Sequence, residues 1–436
     1  MFLLWFYFST QFRRVLTAEL VPDKQVFVHS HLNLRQKIKA QDEVRIINSC
    51  FKLFTFTFLW DYQSRPDQAV LYLVHTRCLL GDQLRYRRVL FDWNIYLEPI
   101  VITTSKIHNA PRQQKIRKNA PFDLSAITLA SPYFSQLLAH AVGQIRELPD
   151  FSDDAKIAVM SDFGGEHKGA HFNTYSFLIL AYNKVGPFME QVKELRRKYD
   201  LLEPYSEFAF KDLKFGPRLR ALPEFLHLVD NFIHGAVITI AIEKTIDTVF
   251  GVSKRETYPI IEEQLAVMGL GKWKGADAEK VLRVCHSIAI FVALTTRENQ
   301  RLLWYCDNDA INENGKERGF KHTQKIFLQT LGMYSSHKFD LIGVGKSFED
   351  KSHLDDLLSI PDFAAGVIQD LLQAHKTGDD NVSGDEGKKA LMRWIGTQGK
   401  FLSKITVQIN RLANGELGSQ VVSIERTASD LLGDTA

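Results

Sequence analysis

Three aspartates stand where an α/β sheet would gather chemistry. Asp162 ends the apolar run 156–162, Asp307 ends the run 301–307 with Asp309 two residues on, and Asp362 lies on the helix expected after the last strand. Open α/β sheets collect functional side chains at the carboxyl ends of their strands. Carboxylates that meet there repel one another unless a cation neutralises them, and an all-oxygen ligand set suits Mg²⁺ or Mn²⁺. Two such ions about 4 Å apart clamp the attacking and leaving oxygens of a phosphoryl displacement. Asp162, Asp307, Asp309 and Asp362 are therefore the candidate metal ligands.

Each acid also has a plainer reading. Asp162 before Gly164-Gly165 suits a turn, Asp307-Asn308-Asp309 suits a loop, and Asp362 behind Pro361 suits a helix cap. The joint pattern favours the metal. So does the setting of Asp362 in Ile360-Pro361-Asp362-Phe363-Ala364-Ala365-Gly366-Val367-Ile368, where an acid among apolar and small residues needs a partner or an ion.

Periodicity supplies the elements that must position these acids. Runs 156–162 and 172–182, joined through Gly164-Gly165, predict an antiparallel hairpin. Helical spacing predicts helices over 187–202 and 218–232, and a short strand is expected over 207–211. Residues 236–242 hold no polar residue but Thr239, as in a strand covered on both faces. A helical stretch follows over 254–297, then strands 301–307 and 339–345, then a helix 354–374 interrupted by Pro361. The polar, glycine-rich segment 376–387 predicts a flexible loop, with a helical tail beyond it.

Four short motifs lie on these elements: Ser161-Asp162-Phe163-Gly164-Gly165-Glu166, Ala209-Phe210-Lys211, Cys306-Asp307-Asn308-Asp309 and Leu358-Ser359-Ile360-Pro361-Asp362-Phe363-Ala364-Ala365-Gly366. Glu349-Asp350-Lys351-Ser352 precedes the last. Their order resembles the ribonuclease H-like superfamily. More narrowly, it resembles a widespread bacterial family with Asp-Glu-Ser-Gly, Glu-apolar-Lys, Ile-Asp-Glu, Asp-Ser-Lys and Leu-Gln-x-Ala-Asp-x-x-Ala-Gly motifs. The match covers roughly residues 155–375 and is closest around Asp362. Phe163 and Ala209 replace the family's glutamates; Glu207, two positions from Ala209 on the same expected strand face, is the candidate substitute. The resemblance implies an α/β fold with a mixed sheet flanked by helices, and a Mg²⁺-dependent nuclease. Asp162, Asp307, Asp362, Glu207 and Lys211 would then be catalytic. The departures at Phe163 and Ala209 leave a second reading open: a catalytically weakened nucleic-acid-binding or protein-interaction subunit.

Outside that region, residues 1–105 read as strand-rich, with period two in Phe54-Thr55-Phe56-Thr57-Phe58. Residues 106–150 read as a basic linker and connecting segment. There Lys106, Arg112, Lys115, Arg117 and Lys118, with no acid among them, suit a solvated linker or contacts to nucleic-acid phosphates. Residues 151–375 are the expected ribonuclease H-like domain, and 376–436 the loop and tail. With 54 Lys and Arg against 51 Asp and Glu, bulk charge does not argue for nucleic acid, so only local patches can. The four cysteines are widely spaced, which argues against a zinc knuckle or disulfide framework and for reduced thiols in a cytoplasm. The apolar run 1–8 is far shorter than the roughly 20 residues a membrane span needs, so no membrane is expected. Gly343-x-Gly345-Lys346-Ser347 lacks phosphate-loop spacing, and His167 and His171 read as residues of a solvated turn.

Overall fold

The computed structural model describes the backbone of four N-terminal strands and residues 115–202, 205–313, 318–347, 352–378 and 385–424. By its internal contacts the chain divides into Met1–Ile107 and His108–Ala436. In the first unit, β1 (Thr17–Leu20) pairs antiparallel with β2 (Val26–His29), and β3 (Phe54–Asp61) with β4 (Val70–Cys78). The alternating Phe/Thr run is thus a strand. Lys106, Arg112 and the apolar run 1–8 lie outside the described residues.

The second unit opens with β5 (Arg117–Asn119), α1 (Tyr133–Val142) and β6 (Glu147–Pro149), β5 pairing antiparallel with β6. The hairpin of β7 (Lys156–Gly164) and β8 (Phe172–Ala181) follows, then α2 (Gly186–Lys198), α3 (Pro217–Phe232) and β9 (Gly235–Glu243). Next come α4 (Lys254–Val267), α5 (Gly275–Thr295), β10 (Arg301–Cys306), α6 (Phe320–Tyr334), β11 (Leu341–Lys346) and α7 (His353–Thr377). The chain closes with α8 (Glu386–Ile395), β12 (Leu402–Arg411) and β13 (Leu417–Val422).

Seven strands form one mixed sheet in the order β11-β10-β7-β8-β9-β12-β13. β7, β8 and β9 make an antiparallel meander, while β10 and β11 add parallel on the far side of β7. β12 runs parallel to β9, and β13 returns antiparallel to it. Helices cover both faces. Phe134, Ile288, Phe291 and Phe327 pack on one face, from α1, α5 and α6; Phe188, Phe225, Phe363 and Leu391 pack on the other, from α2, α3, α7 and α8. Residues 235–242 of β9 are buried throughout, as their apolar run predicts. Among the described residues no helix is long and apolar enough to cross a membrane.

Three expectations change. Residues 207–211 do not form a strand; irregular backbone leads into a 3₁₀ turn over Phe210–Asp212. Pro361 does not interrupt α7, which runs on through it, and the true cap is Ser352, whose side chain accepts from Leu354 N–H. Asp362 is therefore no helix cap. The expected helical tail is α8 alone, after which the chain re-enters the sheet as β12 and β13.

Candidate carboxylate site

β10 lies parallel to β7 with Cys306 opposite Ser161, and the Asp307 N–H continues the ladder to the Ser161 carbonyl at 3.2 Å. Asp162, still paired with Ser176 in the ladder, and Asp307, just past the end of β10, therefore stand on neighbouring strands spaced about 4.8 Å apart. Buried Asn312 fixes the turn after Asp307: its Nδ2 donates to the Asp307 carbonyl at 2.9 Å, and its Oδ1 accepts from Cys306 Sγ at 3.2 Å. Asp162 accepts from the N–H of Phe163, at 2.7 Å.

The third acid arrives from α7, which can approach because the contact residues are small. The Thr174 hydroxyl donates to the Ala365 carbonyl at 3.1 Å. A Cβ on Gly164 would stand 2.7 Å from Thr174 Oγ1 and 3.5 Å from Ala365 Cβ, and one on Gly366 only 2.5 Å from the Phe210 ring. The Ala-Ala-Gly segment beside Asp362 is thus where helix, strand end and the 207–212 segment close on one another. Phe210 N–H donates to Asp362 Oδ2 at 2.7 Å. That accounts for the missing strand, since this amide serves the helix's aspartate and not a ladder. Glu207 and Lys211 still reach the site, because the charges of both act on Asp362. Glu207 is half-buried and Lys211 exposed.

The electrostatics record mutual repulsion. Burial, then the charges of Asp362, Asp307 and Asp309, hold Asp162 well above the usual carboxylate range. Asp362 is pushed up to about 6 by burial, opposed by the Phe210 hydrogen bond and reinforced by Asp307 and Glu207. Among the described residues, none of Asp162, Asp307 and Asp362 has a salt-bridge partner.

Asp309 behaves differently from its expected role as a metal ligand. Its Oδ2 accepts from Lys280 Nζ at 2.6 Å and its Oδ1 from Ile311 N–H at 2.9 Å, so both oxygens are engaged. Lys280 also pairs with Glu166, and its ammonium lies 5.2 Å from the centroid of the Phe163 ring. Burial alone would lower the Lys280 pKa, but the two carboxylates outweigh it and the pKa is raised. Lys280 sits on α5, far from every motif, and its only sequence signal is a charge in a largely apolar helix with Glu279 and Arg283 beside it.

An all-oxygen set carrying uncompensated charge fits a hard divalent cation. Among the described residues, however, no group of three or more His, Cys, Asp or Glu side chains is arranged so that it could hold a metal ion. The basic segment departs further from expectation. Arg117 belongs to β5 and pairs with Glu147, while Lys118 is half-buried and donates to the Leu294 carbonyl. These two are structural residues and not a solvated linker, because β5 lays them against β6 and the end of α5; Lys115 is exposed. His167 is exposed in the β7–β8 turn. Compared with known proteins, the chain matches no family model and no curated sequence.

Proposed function

We propose that this chain is a divalent-metal-dependent nuclease of the ribonuclease H-like kind, acting on phosphodiesters of nucleic acid. The reading is carried by Asp162 on β7, Asp307 at the end of β10 and Asp362 on α7, which act on one another's charge and have no salt-bridge partner among the described residues. The topology supports it: a meander β7-β8-β9, β10 and β11 parallel on the other side of β7, then a helix bearing the third acid. Buried carboxylates that raise one another's pKa are costly to a fold and mark functional sites.

When bound, Mg²⁺ or Mn²⁺ would supply Lewis-acid polarisation of the phosphoryl group and a more acidic water. Asp162, Asp307 and Asp362 would hold it, with Phe210 N–H aiming Asp362. Lys211, exposed beside Asp362, draws in the phosphate backbone. In the reaction a water oxygen bonds to phosphorus and the P–O ester bond breaks. The water's proton passes to Glu207, and the leaving oxygen takes a proton from solvent. A cytoplasmic setting suits the buried, unpaired thiols of Cys285 and Cys306.

One observation favours a second reading, a nucleic-acid-binding or protein-interaction subunit with little turnover. Phe163, next to Asp162, offers a ring where the resemblance has a carboxylate. Incubation with single- and double-stranded DNA and RNA, with Mg²⁺ or Mn²⁺, separates the two. Ion-dependent cleavage that Asp162→Asn abolishes supports the nuclease; binding without product supports the subunit.

A further inference from the structure

We infer that the segment from Lys211 to Arg220 is a single-strand rim beside the aspartates, where Phe215 stacks a base of a single-stranded nucleic acid and Lys214, Arg218 and Arg220 hold its phosphates. The inference deepens the proposed function and rests on it for where the strand leads. Its own grounds are the side chains of this segment.

Position comes first. Phe210 N–H donates to Asp362 Oδ2 at 2.7 Å, so the segment begins one residue from an acid of the set. The charge of Lys211 acts on Asp362. Leu213 is buried, and a Cβ on Gly387 would stand 2.3 Å from its carbonyl oxygen, so the segment is anchored on α8 as well. Phe215 follows Phe210 by five residues, a span of at most about 18 Å. Gly216, at φ 84°, then turns the chain into α3 through a left-handed conformation that glycine takes freely. Phe215 therefore sits at a corner fixed on both sides.

The segment carries four cations, Lys211, Lys214, Arg218 and Arg220, against one acid, Asp212. Arg117 and Arg196, by contrast, are committed to Glu147 and Asp356. Among the described residues Lys211, Lys214 and Arg220 form no salt bridge, and all three are exposed. Arg218 Nη2 donates to Ser206 Oγ at 3.5 Å, and its Nε has no hydrogen-bond partner among the described residues. Amid these charges Phe215 is 80% exposed, and no aromatic side chain among the described residues is more so. Cations alone would serve duplex and single strand alike, since both present phosphates. An exposed ring adds the preference. Unpaired bases offer a face to stack on, whichever base it is, whereas those of a duplex are stacked already.

Fluorescence anisotropy of the full chain with short labelled oligo(dT) and oligo(U), and with a DNA duplex of the same length, tests the rim without turnover when divalent ions are left out. Wild type is expected to bind at least one of the single strands more tightly than the duplex. Phe215→Ala is expected to weaken that binding about fivefold or more, the least that loss of one base–aromatic stack costs, and to leave duplex binding unchanged. The double variant Lys214→Gln, Arg220→Gln is expected to flatten the salt dependence by about 1.4 in slope, about 0.7 for each lost phosphate contact. A smaller loss in Phe215→Ala, an equal loss on the duplex, an unchanged slope, or no binding of either single strand by wild type overturns the rim. Cleavage in Mn²⁺ reads the aspartates separately. Phe215-dependent binding without cleavage supports the rim and overturns the nuclease reading. Cleavage of the single strand by Phe215→Ala with wild-type kcat and KM overturns the rim and leaves the nuclease reading standing.

Discussion

The two ends of β7 treat an aspartate in opposite ways. Just before the strand, Asp154 is fully buried and answered from every side: Asn183 Nδ2 donates at 2.9 Å, Lys184 Nζ at 3.0 Å, and His234 stands at 3.7 Å. At the far end, Asp162 is half-buried, and its neighbours are more aspartates. α7 repeats the contrast within one helix. Asp356 is gripped by Arg196, whose Nε donates to it at 3.0 Å, whose Nη2 donates to it as well, and whose Nη1 donates to the Leu201 and Ser206 carbonyls. Asp362, on the same helix, receives one backbone N–H. The fold therefore gives Asp154 and Asp356 ion-pair partners, while among the described residues Asp162, Asp307 and Asp362 have none. Half-buried like charges of that kind are tolerable where a ligand offsets them.

The sharpest break in the comparison is kinetic. Asp162→Asn should lower metal-dependent cleavage by orders of magnitude, measured as single-turnover product formation, while leaving the urea midpoint unchanged or raised. Asp356→Ala should do the reverse. It strands Arg196 in the interior and should cost about 3–5 kcal/mol by urea denaturation. A mild Asp356→Ala would erase the distinction between the two acids of α7.

A smaller effect follows from pH. Folding raises the Asp362 pKa to about 6, above the unfolded value near 3.9. A raised carboxyl contributes stability that is fully present below the unfolded pKa and lost as pH rises through the folded one. Metal-free wild type should therefore lose about 2–3 kcal/mol relative to Asp362→Asn between about pH 4 and pH 6.5, and the two curves should run parallel above that. Denaturation curves at stepped pH would show a constant difference if Asp362 had an ordinary pKa.

Gly366→Ala sharpens the comparison with the least effect. Its Cβ would meet the Phe210 ring at 2.5 Å, and the ring must shift. The expected cost is about 1–3 kcal/mol. Mn²⁺ affinity should fall too, because the Phe210 amide aims Asp362. Stability loss with unchanged Mn²⁺ affinity would uncouple Phe210 from the site.

What was legible in the sequence was whatever local pattern decides. The runs ending in Asp162 and Asp307, the hairpin through Gly164 and Gly165, and the both-faces-buried β9 all follow from periodicity and turn chemistry. The residues that read wrongly depend on distant partners. The segment 207–211 looks extended until Asp362, across 152 residues, takes the Phe210 amide. Lys118 looks like a linker residue until the Leu294 carbonyl, 176 residues on, accepts from it. Asp309 looks like a free ligand until Lys280 on α5, 29 residues back, donates to it. β12 is a different case: Ile405, Val407 and Ile409 alternate with polar residues, a period-two signal that the local pattern does carry.

The central claim is that the unanswered aspartates await a divalent ion. Thermal melts of wild type and Asp362→Asn, each with and without Mn²⁺, test it most directly. The account predicts that Asp362→Asn without metal melts at or above wild type, that Mn²⁺ raises the wild-type Tm, and that the substitution abolishes this rise. An Asp362→Asn protein that is strongly destabilised without metal, or that keeps the full Mn²⁺-induced rise, would contradict it.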